Sequence, residues 1–426
     1  MAKSIGHEST GLVSQANLSA PSETRRPRVL VIAYACEPGR GSEPGVGWSL
    51  VQSVARFGEL TVLVGPEHIG AIQEWERENP DSTIEFQLVN EPKWARWLPH
   101  APTDKSRRHL IGYFIAYLGW QRSARRLAKK LHADRPFDVT HHATYSVYWL
   151  PSPGRRLPIP LAWGPVGGAV TTPSDMWRAL GAKGIASELI DLIAVRVLSL
   201  APATRRTWRK AAVRIAQSEE TQARLGRPRP ADVVLNHVMF TEVDRVAKPR
   251  EDFILFLSSF ETRKGVRLAV RGLAEAHPDV RMVIVGDGPE RSALEGLIEE
   301  LGLLDRVDLR GWLPYPEAMD LLDRAGAVVF AGVREEGGTA LAEAMQRGAP
   351  VIVFANGGAK TVAESAIDPG RVRLVSPGSR QEIAEQFGAA MTHFYQASGL
   401  DNTPNLNTAE AHATLEAAIR AAIASG

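Results

Sequence analysis

Residues 328–351 read Val-Val-Phe-Ala-Gly-Val-Arg-Glu-Glu-Gly-Gly-Thr-Ala-Leu-Ala-Glu-Ala-Met-Gln-Arg-Gly-Ala-Pro-Val. An apolar run suited to a buried strand passes through a short loop into a helix that Gly348 and Pro350 end. Gly337 and Gly338 stand just before that helix. Their missing side chains let a ligand approach its first free N–H groups, where the helix dipole favours an anion. Thr339 is placed to cap the helix, and Glu343 lies about one turn in, on the face that Thr339 starts. Glu335 lies in the loop, eight residues before Glu343. Two carboxylates thus flank a phosphate-shaped cradle, and a carboxylate accepts two hydrogen bonds from a sugar or ribose diol. A Gly-Gly turn followed by a solvated helical glutamate is also a common structural device, so the rest of the chain must decide.

Around this stretch the second half alternates strand and helix. Strands are predicted at 253–260, 281–286, 307–311, 327–331, 350–355 and 372–375, the pattern of a doubly wound α/β sheet. The first strand runs into Ser258-Ser259-Phe260-Glu261-Thr262-Arg263-Lys264-Gly265, where Lys264 is a candidate phosphate ligand. The first half opens in the same way. A buried-type strand at 28–34 leads into Cys36-Glu-Pro-Gly39-Arg-Gly41-Ser42-Glu-Pro-Gly45-Val-Gly47-Trp48, a helix from about 44 to 57 and a strand at 60–64. Ligands bind at the carboxyl ends of such strands, so Gly39, Gly41, Ser42, Gly45 and Gly47 are candidates for a phosphate or acceptor loop. Gly167 and Gly168, in the glycine-rich turn that ends the strand-and-turn stretch 160–168, join them. Further strands are expected at 84–89, 137–142, 214–218 and 232–238. The strand at 137–142 ends in His141 and His142, which alternation sends to opposite faces.

With 426 residues the chain has room for two domains, each with its own core. The predicted plan is a tail over 1–26, a first domain over 27–240 and a linker over 241–251. A second domain over 252–400 is followed by a polar linker and final helix over 401–426. One cysteine, Cys36, excludes an internal disulfide framework and fits a reducing, cytoplasmic compartment. The N-terminal tail lacks the apolar core of a secretion signal, and no run is long enough to span a membrane. Net charge is +2, yet residues 1–250 hold 34 Lys and Arg against 23 Asp and Glu, and residues 251–426 hold 16 against 25. Different partners for the halves, or attraction between them, account equally for that asymmetry. Residues 93–120 are aromatic and apolar, with Trp94, Trp97, Tyr113, Phe114, Tyr117 and Trp120, and run into Arg122, Arg125, Arg126, Lys129 and Lys130. This reads either as a core helix with a solvated basic end or as a contact with an anionic membrane surface.

Four pieces of the second half occur together in a fixed order: Lys264-Gly265, Val285-Gly286-Asp287-Gly288-Pro289-Glu290, Gly311-Trp312-Leu313-Pro314, and the Glu335/Glu343 pair with Gly348-Ala-Pro-Val351. With Asn236-His237-Val238 before the linker, they cover nearly all of residues 230–366, which strongly resemble the family 4 nucleotide-sugar glycosyltransferases, enzymes of the two-Rossmann GT-B fold. The first half matches more loosely. The resemblance implies two doubly wound Rossmann-like domains facing each other across a cleft. It also implies retaining transfer of a sugar from a nucleotide diphosphate to an acceptor hydroxyl. Lys264 would stabilise the leaving diphosphate, with the backbone N–H groups of Gly338, Thr339 and Ala340. Glu343 would hold the ribose and Glu335 the sugar hydroxyls, with Gly286, Asp287 and Gly337 in the donor site. Two positions depart from the family. Its usual phosphate-binding arginine is Ser259 here, leaving Arg263 or the first domain to meet that charge. Its usual histidine falls on Ala143, leaving His141 or His142 as the substitute. No Asp-x-Asp pair calls for a metal, no cofactor beyond the donor substrate is implied, and no nucleic-acid partner is expected. A glycan or lipid-linked acceptor at the inner membrane face, in cell-surface polysaccharide or glycolipid assembly, is the leading expectation. The alternatives are a soluble natural-product acceptor, a sugar-nucleotide epimerase, and a non-catalytic sugar-nucleotide-binding protein.

Overall fold

A computed structural model of the chain describes residues 25–98, 107–174, 176–177, 181–240, 243, 248–397 and 402–426. The first sheet holds β1 (Arg28–Ile32), β2 (Glu59–Val64), β3 (Ile84–Leu88), β4 (Val139–His142), β5 (Leu161–Val166), β6 (Val213–Ala216) and β7 (Val233–Val234). The second holds β8 (Glu251–Leu257), β9 (Arg281–Val285), β10 (Val307–Gly311), β11 (Ala325–Phe330), β12 (Val351–Phe354) and β13 (Val372–Val375). Their orders are β3-β2-β1-β4-β5-β6-β7 and β10-β9-β8-β11-β12-β13, and the pairings are parallel throughout. Both sheets therefore reverse direction at one point, between β1 and β4 and between β8 and β11. In doubly wound sheets that crevice receives the ligand.

The helices of the first domain are α1 (Ser42–Ala55), α2 (Ile69–Glu78), α3 (Arg107–Asp134), α4 (Gly181–Ser199), α5 (Pro202–Lys210) and α6 (Glu219–Arg224). Those of the second are α7 (Val266–Glu275), α8 (Arg291–Glu300), α9 (Tyr315–Arg324), α10 (Thr339–Gln346), α11 (Gly357–Glu364) and α12 (Arg380–Gln396). The last helix, α13 (Thr408–Ala424), returns to the first domain. Its apolar face, Ala411, Leu415, Ala418, Ile419 and Ala422, joins the core that holds Val29, Leu50 and Val213, and His412 Nδ1 lies 2.6 Å from Ser53 Oγ. The helix expected as a separate C-terminal piece thus completes the first domain.

Two expectations change. Gly45 and Gly47 lie inside α1 and not in a loop, because the helix starts at Ser42. A side chain at either would meet backbone, Arg40 O at 1.8 Å and Ala35 O at 2.0 Å, so both serve close packing of that helix. The apolar and basic stretches after residue 106 form one helix, α3. Its aromatics Tyr117 and Trp120 are fully buried, so they are core residues and not a membrane-facing belt. The N-terminal tail to residue 24 and most of the linker lie outside the described residues. Among the described residues no helix is long and apolar enough to cross a membrane.

Candidate active site

The two domains enclose a cavity of about 950 Å³. Its second-domain wall is the loop between β11 and α10. The loop forms as the sequence predicts, but with Gly338 at the N-cap and Thr339 as the first helical residue; no side chain caps it. The free N–H groups of that first turn face the cavity, which is lined by Gly337, Gly338, Thr339 and Ala340. Lys264, delivered by the short 3-10 turn after β8, puts Nζ 2.7 Å from Glu335 Oε1. Arg263 Nη1 lies 3.6 Å from the same oxygen, and its Nε donates to Glu261 Oε2 at 2.8 Å. Glu335 is buried, so its charge is held between two cations at the cavity edge.

Glu343 stands one turn along α10 against α9, where Tyr315 Oη donates to Oε1 at 3.1 Å. Burial raises its pKa above the ordinary carboxylate value, outweighing the opposite effects of Tyr315 and Arg347. It lies beside the cavity rather than in its lining. Gly286 and Asp287 likewise stand outside the lining, at the carboxyl end of β9, and Asp287 Oδ1 accepts from the Gly288 N–H at 2.7 Å. Ser259 is exposed and turned to Glu261, whereas its neighbour Ser258 lines the cavity.

The first domain supplies fewer of the expected residues. Ser42 and Gly168 line the cavity, but Gly39, Gly41, Gly45, Gly47 and Gly167 do not. His141 and His142, named as candidate catalytic residues, are both fully buried and neither lines the cavity. His141 Nε2–H donates to Gly164 O at 2.7 Å, and His142 Nε2 lies 3.1 Å from Tyr117 Oη. Burial pushes their pKa values down to about 4 and about 3, so both are neutral near pH 7. Position at a strand end was the right clue for the crevice but the wrong one for these side chains, because the sheet is covered on both faces.

The histidine that does line the cavity is His237, in the Asn236-His-Val junction. A Cβ on Gly337 would stand 2.7 Å from its Nε2, so the imidazole packs directly on that cradle glycine. Burial lowers its pKa, against the opposing pull of Glu43. Its only signal in the sequence was its place in that junction, which gave it no role of its own. Asn236 explains the junction: its Nδ2 donates to Gln217 O at 3.1 Å and to Glu336 O at 2.8 Å, tying the end of the first domain to the cradle loop. Glu336 Oε1 accepts from the Val170 N–H at 2.9 Å, Asn356 Nδ2 donates to Thr171 O at 3.1 Å, and Arg334 pairs with Glu188 of α4. The domains therefore close on each other through the residues flanking the cradle. Arg196 and Arg224 reach the cavity from the first domain, and the rest of that wall is largely apolar.

Residues 241–393 match the family model for glycosyl transferases group 1. This second-domain segment belongs to the group 1 glycosyl transferases, and the two parallel sheets have the GT-B architecture. The chain is 26% identical to a 2-deoxystreptamine glucosyltransferase of Streptomyces kanamyceticus over 345 residues, 71% of this chain and 79% of that protein. It is 33% identical to the lipopolysaccharide core biosynthesis glycosyltransferase LpsD of Rhizobium meliloti over 134 residues, 30% of this chain but only 38% of that protein. Among solved structures, Anabaena HepE in complex with UDP superposes with a TM-score of 0.50 at 14% identity, covering 92% of this chain and 98% of that one, which is a likeness of fold.

Proposed function

We propose that this glycosyltransferase moves a sugar from a nucleotide-diphosphate sugar to an acceptor hydroxyl with retention of configuration. The observation that carries the reading is the cradle: the α10 N-terminus, Lys264 and Arg263 converge on one cavity edge, with Glu335 and Glu343 to either side. In the absence of donor, Lys264 and Glu335 neutralise each other. A diphosphate draws Lys264 away and frees the Glu335 carboxylate for sugar hydroxyls, while Glu343 receives the ribose diol. Charge developing on the leaving phosphate then meets donors already in place. Arg263 supplies the cation that Ser259 does not, and neither a metal nor a separate cofactor takes part. With His141 and His142 buried, the histidine closest to the cradle, His237, is the one placed to contact the donor. The acceptor is a glycan or lipid-linked glycan used in surface polysaccharide or glycolipid assembly, taken up at the inner face of the membrane. The largely apolar first-domain wall favours an amphiphilic acceptor. A soluble acceptor is the second reading, favoured by the length of the match to the 2-deoxystreptamine glucosyltransferase. A small aminocyclitol would, however, leave much of that wall without a partner.

The test is a donor panel. UDP-, GDP- and ADP-sugars are titrated against the wild type, Lys264→Ala and Glu343→Ala, following thermal stabilisation and then nucleotide release with and without acceptor glycans. A donor present at 100 times its dissociation constant adds about 2.7 kcal/mol to the wild type. Stabilisation by none of them sinks the reading; turnover that needs no acceptor replaces it with an epimerase; binding without turnover leaves a sugar-nucleotide-binding protein.

A further inference from the structure

One face of α3 changes its chemistry along its length. Ile111, Ile115, Leu118, Arg122, Arg125 and Lys129 follow one another at three- or four-residue intervals and so form a single stripe. The opposite face, with Tyr117, Trp120, Ala124 and Ala128, is packed in the first-domain core. The first half of the stripe is apolar and faces outward, with Ile111 60% and Ile115 42% exposed. Across the cavity α4 presents Ile190, Ile193, Val197 and Leu198, all exposed, Ile193 to 62%. Between residues 185 and 199 the charged residues are Glu188, Asp191 and Arg196, so the helix has no continuous polar face. A helix that is apolar on most sides belongs in a core or against another apolar phase. An exposed patch of this kind marks an interaction surface.

The second half of the stripe is cationic and leads into a depression. Leu118 lines both the cavity and this depression, whose other walls include Arg122, Arg125, Arg155 and Arg156. A neighbouring hollow adds Lys129, Arg206 and Lys210, and no carboxylate lines either one. Among the described residues none of these side chains has an ion-pair partner. Arg155 donates to Ser152 O, but its buried Nε has no acceptor. Burial, then the charges of Arg156, Arg125 and Arg206, lower its pKa to about 10, and burial with Arg156 lowers that of Arg125. Cations crowded together without a counter-charge repel one another until an anion joins them. Arginine forks suit phosphate oxygens.

We propose that the α3 stripe docks the enzyme on an anionic lipid bilayer. Headgroup phosphates occupy Arg122, Arg125, Arg155 and Arg156, and the exposed apolar residues of α3 and α4 enter the acyl boundary. The mouth of the cavity then opens at the membrane surface. This deepens the acceptor reading above and rests on it only for the purpose of docking. Apolar contact and cationic attraction act together in such interfacial binding. Charge complementarity, and the continuity of the apolar rim with the cavity, select lipid as the occupant.

The experiment is vesicle co-sedimentation of the full chain, with phosphatidylcholine vesicles with and without phosphatidylglycerol, over a salt series. Binding to the anionic vesicles, weakened by salt, is expected. The double variant Arg155→Gln/Arg156→Gln lowers the partition coefficient roughly 30-fold, from about 1 kcal/mol per basic residue near such a surface. Ile115→Ser/Ile193→Ser lowers it while leaving the salt dependence. Should the first pair fail to fold, the exposed pair Lys129→Gln/Arg206→Gln replaces it, with a smaller loss of the same sign. No sedimentation with anionic vesicles, or variants that sediment like the wild type, overturns the proposal. Stabilisation by inorganic phosphate that the arginine variant loses, without vesicle binding, makes the cluster a free-oxyanion site and also overturns it. Thermal stabilisation by donor sugars is read on the same samples. A donor response without vesicle binding removes the docking alone, and vesicle binding without a donor response removes the donor reading alone.

Discussion

The two walls of the cavity are built by opposite means. The second-domain wall is polar and pre-arranged: a helix N-terminus, a lysine and an arginine on one buried glutamate, and two glycines packed on the side chains of His237 and Phe330. The first-domain wall is apolar, and its two strand-end histidines are sealed in the core. A site that recognises a diphosphate needs fixed charges and close backbone, so its residue types and spacings are constrained. A wall that receives a variable acceptor needs only a surface of suitable polarity, which many sequences supply.

The glycines give the sharpest contrast. Gly286 has φ 142, and a Cβ there would stand 1.9 Å from Ser258 O, a clash with backbone that nothing can relieve. Gly286→Ala is expected to cost several kcal/mol, enough to remove most of a domain's stability of about 5–15 kcal/mol. Gly41 in the first-domain loop is exposed and has nothing within 4 Å of its would-be Cβ. Gly41→Ala is expected to change stability by no more than about 0.5 kcal/mol. Urea unfolding of both variants checks the pair, and equal costs would erase the contrast.

Function should divide in the same way. Lys264→Ala is expected to lower donor turnover by about 10²–10³-fold, the effect of removing one pre-placed donor to developing charge. The cavity-facing apolar change Phe114→Leu should act mainly on KM for the acceptor. Steady-state kinetics with donor and acceptor varied separately read both. A Lys264 variant that lost only acceptor affinity would break the assignment of walls.

Acid should act on the first domain. Burial holds His141 at about 4 and His142 at about 3, below the ordinary 6.5. A depressed pKa means that the folded state binds the proton less well than the unfolded chain. The stabilisation is therefore complete above about pH 6.5 and is lost as pH falls through about 4 and 3, on the order of 3 kcal/mol for His141 and 5 kcal/mol for His142. The first domain holds every tryptophan except Trp312, so tryptophan fluorescence reports its unfolding. His141→Gln, which keeps a donor for Gly164 O, should flatten the acid limb. An unchanged limb would place the acid sensitivity elsewhere.

Most of the fold was legible in the sequence, because buried parallel strands are short apolar runs and turns between them carry glycine or proline. The geometry of the second-domain cradle was legible: Lys264, Glu335, Gly337 and Thr339 come together on one cavity, as a strand, loop and helix in that order require, while Glu343 stands beside it. The first-domain site was not. Gly45 and Gly47 look like a loop but pad the start of α1, and a strand-end histidine is catalytic only if the sheet leaves it uncovered. His237 was in view only as the middle of the Asn236-His237-Val238 junction, and only the fold brings it against Gly337. The exposed apolar face of α4 could not be told from a core helix, since sequence pattern does not show what a residue faces.

The smallest expected effect tests whether the two walls act as one. Arg334, next to the cradle glutamates, pairs with Glu188 of α4, and Glu188 also accepts from the Thr172 N–H at 3.4 Å. Arg334 is partly open to solvent, so solvent screening limits the pair to about 0.5–1 kcal/mol. Glu188→Gln keeps the size and an acceptor but removes the charge. Thermal stability should fall by about 1–4 °C, which is what that energy implies for a domain of this size. If α4 is also a wall of the acceptor cavity, KM for the acceptor should rise about two- to fivefold with kcat nearly unchanged, because the wall moves and the donor cradle does not. A drop in kcat with KM constant would mean that the pair acts through the cradle, and the polar wall would then depend on the apolar one for its geometry.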